Sequence, residues 1–351
     1  VQAARRLDRF LAGIEAYPRH PYRRELETPS ALWSAGTTRL LDYRAGGAAL
    51  PLLVVPSLIN RAYVLDLTPR RTLVRWLAGR GFQPFLVDWD APGPEERGFD
   101  LTGYIARRLE PALDAVIAAC GRPPAVIGYC MGGLLALALA LRRAQDIAGL
   151  ACLATPWDFH AEAPARAQLL GAAAAVFEPT LALLGELPVD LIQLLFATVD
   201  PLQAPRKFAA FASLDPDSEA AVEFVALEDW LNDGVPLAAP VARECLVGWY
   251  GGNTVGRGAW RVDGAIVDPA AYRGPTLIVL PARDRIVPPA SAAALAAAMP
   301  HAQRLEPHSG HIGMVVGGAA EAKLYAPLAG WLSDLPARPR RRPRPVALHR
   351  R

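Results

Sequence analysis

The stretch Ala125-Val126-Ile127-Gly128-Tyr129-Cys130-Met131-Gly132-Gly133-Leu134-Leu135 decides the fold. A short β-rich run over 125–128 passes without a linker into a tight turn, then into an apolar helical run over 132–143. A buried strand feeding straight into a buried helix belongs to a sheet with helices laid against it. The flanking chain repeats this alternation. Residues 50–55 (LPLLVV), 84–89 (PFLVDW) and 147–154 read as strands, and 67–80 and 102–119 as the helices between them. Near the end, 276–280 (TLIVL) and 302–306 read as strands, with helices at 290–299 and 319–332. The expected fold is α/β: a mostly parallel twisted sheet flanked by helices.

Between 156 and 271 the alternation stops. This part is rich in Ala, Leu and Phe, and Pro164, Pro179, Pro188, Pro201, Pro205, Pro236 and Pro240 are expected to break it into short helices. The sheet pattern resumes directly after it, so it reads as a helical cap inserted between two strands. The expected organisation is an N-terminal segment (1–37), a core in two parts (38–155 and 272–335), the cap (156–271) and a disordered Pro/Arg-rich tail (336–351).

The chain has 351 residues, 52% hydrophobic and 20% charged, which excludes disorder as a description of the whole and supports a sizeable core. Four cysteines (Cys120, Cys130, Cys152, Cys245) are too few for a disulfide framework, and no C-x-x-C pair points to zinc or redox work. The longest charge-free apolar run, 123–141, reads as strand–turn–helix, so no transmembrane segment is expected. The residues at the start of the chain have no uninterrupted apolar core of the signal-peptide type. The expected compartment is the cytoplasm. Net charge is +3, but seven arginines and no acid lie in 336–351, and without them the remainder stands at −4. The mildly acidic body gives no reason to expect nucleic acid; only the basic tail could tether an anionic surface, partner or nucleic acid.

Gly128-Tyr129-Cys130-Met131-Gly132 matches the G-x-S-x-G nucleophile elbow of α/β-hydrolases, with Cys in place of Ser. The strained turn exposes the nucleophile, and the glycines remove side chains that would collide. The thiol then sits at a helix N-terminus, where the dipole favours thiolate. The Met131 N–H points into the same space and is a candidate oxyanion donor. A second donor is expected from the loop after 50–55, as the N–H of Leu58 or Ile59, with the choice open. Cys120, Cys152 and Cys245 read as packing residues.

An activated thiol needs a base, and the base an orienting acid, in the chain order nucleophile, acid, histidine. His311, between Gly310 and Gly313 after the last short strand, is preferred as base over His308. Asp284, just after strand 276–280, is the preferred acid. Asp158 is its rival, and Asp88 precedes the nucleophile.

These residues carry a resemblance to the polyhydroxyalkanoate synthases of the α/β-hydrolase superfamily. The matching motifs are VPSLINRAYVLDL (55–67), GYCMGG (128–133), ATPWDF (154–159), ARDRIVPP (282–289) and SGHIGMVVGG (309–318), with a weaker LEDWLNDGVPLAAP (227–240) followed by Tyr250 and Asn253. The chain is similar to the short class III and class IV catalytic subunits. The resemblance implies Cys130 as nucleophile, Asp284 as acid and His311 as base, acting on (3R)-3-hydroxyacyl-CoA without a cofactor, the CoA thioester being substrate. It also implies a homodimer, a separate partner subunit and work at the polyester granule surface. Met131 departs from the polar residue usual in short-class members, and the tail has no counterpart there. The alternatives are a cysteine-nucleophile hydrolase (thioesterase or intracellular depolymerase) and a non-catalytic granule-associated subunit.

Overall fold

Central strands buried on both faces and more exposed edge strands build one eight-stranded sheet: β1 (Ala31–Ala35), β2 (Thr38–Asp42), β3 (Pro51–Val55), β4 (Gln83–Asp88), β5 (Ala125–Tyr129), β6 (Gly149–Leu153), β7 (Thr276–Val279) and β8 (Gln303–Leu305). Their spatial order is β1-β2-β4-β3-β5-β6-β7-β8. All pairs from β4 onward are parallel, while β1 and β2 form an antiparallel hairpin at one edge. Every residue of β3, β5 and β6 is buried, the continuous apolar pattern required of strands covered on both faces. The computed structural model describes residues 2–46, 49–198, 200 and 202–336. The tail at 336–351 lies, beyond its first residue, outside the described residues.

Several expected elements change on inspection. The sheet begins at Ala31, ahead of residue 38, because the hairpin turning at Gly36 (φ 54°) adds an edge to the parallel set. The expected helix 67–80 is shorter, Leu73–Gly79. Residues 66–72 instead form a small hairpin locked by Asp66, which is fully buried. Asp66 accepts hydrogen bonds from Thr72 (2.6 Å), Tyr43 (3.0 Å) and Arg75 (2.8 Å). A buried carboxylate with this many donors dictates local structure more strongly than apolar spacing does. The N-terminal helix Gln2–Ala16 packs on Gln203–Phe211 and has no counterpart in the sequence reading.

Between β6 and β7 lie the helices Pro164–Leu184, Val189–Ala197, Gln203–Phe211, Glu219–Asn232 and Ala239–Arg243, the last continuing as a π-helical segment, Glu244–Gly251. Pro179 does not break its helix, contrary to expectation: Pro164–Leu184 runs through it for 21 residues. Gly171 sits so close to Gly251 that a Cβ there would meet its Cα at 2.5 Å, and Arg243 grips Glu178 through two bonds (2.9 and 2.7 Å). Tertiary packing thus holds what proline loosens. Among the described residues, this is the helix long and apolar enough to cross a membrane by length and composition, and 17% of its most apolar window is buried. Here it is bedded along Glu244–Gly251.

Candidate active site

Cys130 follows β5 directly and caps the helix Met131–Arg142. Its backbone is left-handed (φ 56°), a strained conformation for a residue with a Cβ. The surroundings impose it. The Cys130 N–H donates to the Leu153 carbonyl at 2.8 Å, carrying the β5–β6 ladder one residue beyond the strand. A Cβ on Gly128 would lie 2.4 Å from Gly133 Cα, and one on Gly132 would lie 2.1 Å from the Val55 carbonyl oxygen. Strand, turn and helix therefore close on each other only with glycine at these places.

Asp284 and His311 stand beyond the ends of β7 and β8. Main-chain bonds continue past both strands: Leu280 to Leu305 (2.8 Å), Ala282 to Pro307 (3.0 Å) and Arg283 to Ser309 (3.0 Å). They bring the two loops side by side. Asp284 is buried; its Oδ1 accepts from the N–H groups of Ile286 (2.8 Å) and Val287 (2.9 Å), which aims Oδ2 at His311 Nδ1, 2.6 Å away. The Cys130 side chain lies near enough to the imidazole for its charge to act on it. Burial on its own would lower the His311 pKa, but the charge of Cys130 and the hydrogen bond with Asp284 outweigh it, and His311 is pushed up to about 10.

The structure thus brings together Cys130, His311 and Asp284. The rivals are engaged elsewhere. Asp158 accepts from the His160 N–H and from Asn253 Nδ2, both at 2.8 Å. Asp88 pairs with Arg39 at 2.6 Å, and His308 is exposed.

The open choice between oxyanion donors narrows. The Ile59 N–H is taken by Ser57 Oγ at 3.0 Å, whereas among the described residues neither the Leu58 N–H nor the Met131 N–H has a bond outside a regular helix or strand. Both follow the C-terminal end of a central parallel strand, where α/β sheets bind ligands.

Two contributors had no role in the sequence reading. Tyr129 donates from its hydroxyl to the His311 carbonyl (3.3 Å) and lays its ring against the imidazole (5.2 Å between centroids). Burial, then the charges of Cys130 and Asp284, push its phenol pKa up, so it keeps its proton. Tyr250, half-buried, brings a second phenol within electrostatic reach of Cys130; burial first, then that charge, raise it too. Its segment is tied to the 154–159 stretch through Asn253, which accepts from the Phe159 N–H at 3.0 Å. Tyr129 adjoins the nucleophile, a position that could have flagged it. Tyr250 needed the tertiary fold.

A profile of the alpha/beta hydrolase fold family matches residues 51–317. Among solved structures, an alpha/beta hydrolase fold protein from Nakamurella multipartita superposes with a TM-score of 0.51 at 16% identity, covering 87% of this chain and 99% of that one. An enol-lactonase from Burkholderia xenovorans gives a TM-score of 0.50 at 18% identity, covering 85% and 96%. Likeness at such identities speaks to the fold alone. Sequence relatives are closer. The chain is 27% identical to a poly(3-hydroxyalkanoate) polymerase subunit PhaC of Haloarcula marismortui, over 88% of this chain and 68% of that protein. It is 29% identical to the Synechocystis protein of the same name, over 81% and 78%, and 26% identical to that of Allochromatium vinosum, over 81% of each. The chain belongs to the alpha/beta hydrolase fold family, on its polyhydroxyalkanoate synthase branch.

Proposed function

We propose that this acyltransferase polymerises (3R)-3-hydroxyacyl-CoA into polyhydroxyalkanoate, releasing one CoA per unit through a thioester on Cys130. The observation that carries the reading is the buried His311–Asp284 pair (2.6 Å) placed beside the strained Cys130 elbow.

In the first step His311 takes the Cys130 proton and the thiolate attacks the substrate's thioester carbonyl. The carbonyl oxygen becomes an oxyanion, held by the N–H groups of Leu58 and Met131. Collapse expels the CoA thiolate, which takes the proton from His311. One thioester replaces another, so little free energy is lost and the acyl group stays activated. In the second step the hydroxyl of another hydroxyacyl unit attacks the Cys130 thioester while His311 accepts its proton. An oxoester forms, the Cys130 thiol is restored, and the thioester-to-oxoester change drives the chain forward. Asp284 keeps the His311 tautomer and supports the imidazolium. The helices between β6 and β7 serve as a cap that limits water. On this reading the protein works at the surface of its own insoluble product, as a dimer or with a partner subunit.

The test is incubation of the purified protein with 3-hydroxybutyryl-CoA, with and without a candidate partner subunit, measuring CoA and polymer together. CoA release with insoluble polymer, both lost in Cys130→Ala, is the expected result. CoA release with free hydroxy acid alone would make this a cysteine hydrolase. A folded protein that neither releases CoA nor reacts at Cys130 with a thiol reagent would be a non-catalytic subunit.

A further inference from the structure

Two stretches that stand out in the sequence have no part in the triad: 55–67, with its Asn-Arg pair, and 227–240, with its Trp and Asp. They meet in space. Trp230 Nε1 donates to the Arg61 carbonyl at 2.8 Å, and Arg61 Nε pairs with Asp233 at 3.2 Å, 172 residues away in the chain. Tyr63 lies close enough to Asp233 to feel its charge. On its other side the Arg61 guanidinium pairs with Asp90, in the loop after β4. Burial works to raise Asp90, but bonds from the Ala91 N–H and Arg61 hold it below the usual carboxylate value.

The loop between these anchors is 56–61. At its start the Trp89 indole donates to the Pro56 carbonyl at 3.1 Å; at its end the Trp230 indole holds the Arg61 carbonyl. Both indoles are buried, one in the sheet's own core and one on the inserted helix Glu219–Asn232. Between them Asn60 is left-handed (φ 65°), so the loop is strained and depends on its surroundings to keep this shape. The loop carries the free N–H of Leu58.

We propose that Arg61 is a positioning residue: gripped by Trp230 and Asp233 of the insertion, it fixes loop 56–61 so that the Leu58 N–H stays aimed at the acyl carbonyl on Cys130. One of the two oxyanion donors is thereby held in part by the insertion, while Met131 and the Cys130–His311–Asp284 group are placed by the sheet. The proposal rests on the acyl-transfer reading, in which Leu58 supplies an oxyanion donor.

Trp230→Phe removes one N–H and keeps the ring; Asp233→Asn removes the charge and keeps the shape. Full loss of an oxyanion donor costs about 100-fold or more in kcat, so a misaimed one should cost about 10-fold in each variant, with KM for the acyl-CoA changed less than about twofold. Labelling of Cys130 by iodoacetamide should keep its wild-type rate, and the double variant should be little worse than either single one. Amide exchange over 56–65 should quicken about fivefold while 128–133 stays as in the wild type. Unchanged kcat in both variants overturns the proposal. So does a joint collapse of kcat, KM and labelling, which marks a merely structural role. Should the wild type release no CoA, the acyl-transfer reading fails on its own, and unchanged exchange over 56–65 would then refute the coupling separately.

Discussion

At the site, the charge of Cys130 and the bond to Asp284 raise the pKa of His311, which makes the site sensitive to single substitutions. His311→Gln removes the base beside the thiol. Its alkylation by iodoacetamide at pH 7 should slow about 10-fold or more, and CoA release should fall about 1000-fold or more. Asp284→Asn keeps the shape but offers an N–H where Nδ1 needs an acceptor, so kcat should fall at least about 100-fold with the fold intact. If Asp158→Asn proves the more damaging change, the acid has been misassigned. The raised His311 pKa also has a thermodynamic sign. Its folded value, about 10, lies above the ordinary 6.5, so its stabilisation is fully present below pH 6.5 and is lost as pH rises through 10. The Tm advantage of wild type over His311→Gln should therefore shrink from pH 7 to pH 10; an advantage that grows would contradict the raised His311 value. These three residues were legible because each is a chemically distinctive side chain at a fixed place after a strand, two of them marked by neighbouring glycines. The second oxyanion donor was legible only to within two residues, Leu58 or Ile59, because a backbone N–H has no side-chain signature. Its availability turned on whether Ser57 reached Leu58 or Ile59.

Among the elements, the elbow and the long inserted helix answer differently to small residues. Gly132→Ala would drive a Cβ to 2.1 Å from the Val55 carbonyl oxygen and 2.6 Å from that of Pro56, backbone atoms that cannot swing aside. A loss of about 3 kcal/mol in urea unfolding is expected, and a change under about 1 kcal/mol would mean the turn has slack. Pro179→Ala should act the other way. The helix around it already has helical geometry, so restoring one N–H and relieving the ring clash should stabilise by about 2 kcal/mol after the unfolded chain's gain in freedom. A lower Tm in that variant would show that the proline is needed for packing. Local propensity made Pro179 read as a helix end, yet the grip of Arg243 on Glu178 and the close approach of Gly171 to Gly251 override it. The hairpin at 66–72 was hidden for the same kind of reason. Its apolar spacing suits a helix, and only the buried Asp66 with donors from Tyr43, Thr72 and Arg75 selects the turn.

Across the molecule, strand–helix alternation exposed the parallel sheet because its central strands, β3 to β7, are buried on both faces. The edge hairpin β1–β2 is half-exposed and carries no such signal. The insertion presents the opposite problem: Leu169, Val176 and Leu183 recur every seven residues on its longest helix, yet are 72%, 74% and 83% exposed. Changing all three to Ser should leave unfolding free energy within about 1 kcal/mol of wild type, since little area is lost from the core. Binding of a hydrophobic dye should fall, and a large destabilisation would mean that this face is covered in solution. The main-chain lacing of the Asp284 and His311 loops onto β7 and β8 has a practical consequence of its own. Nothing in that lacing passes through the insertion. A molecule whose insertion has loosened with heat or storage would keep a competent thiol and react normally with a labelling reagent, yet turn over little substrate. Counting active sites by thiol labelling would then overstate the working enzyme, and the gap between labelled and productive fractions would measure how much of a preparation has lost its insertion's hold.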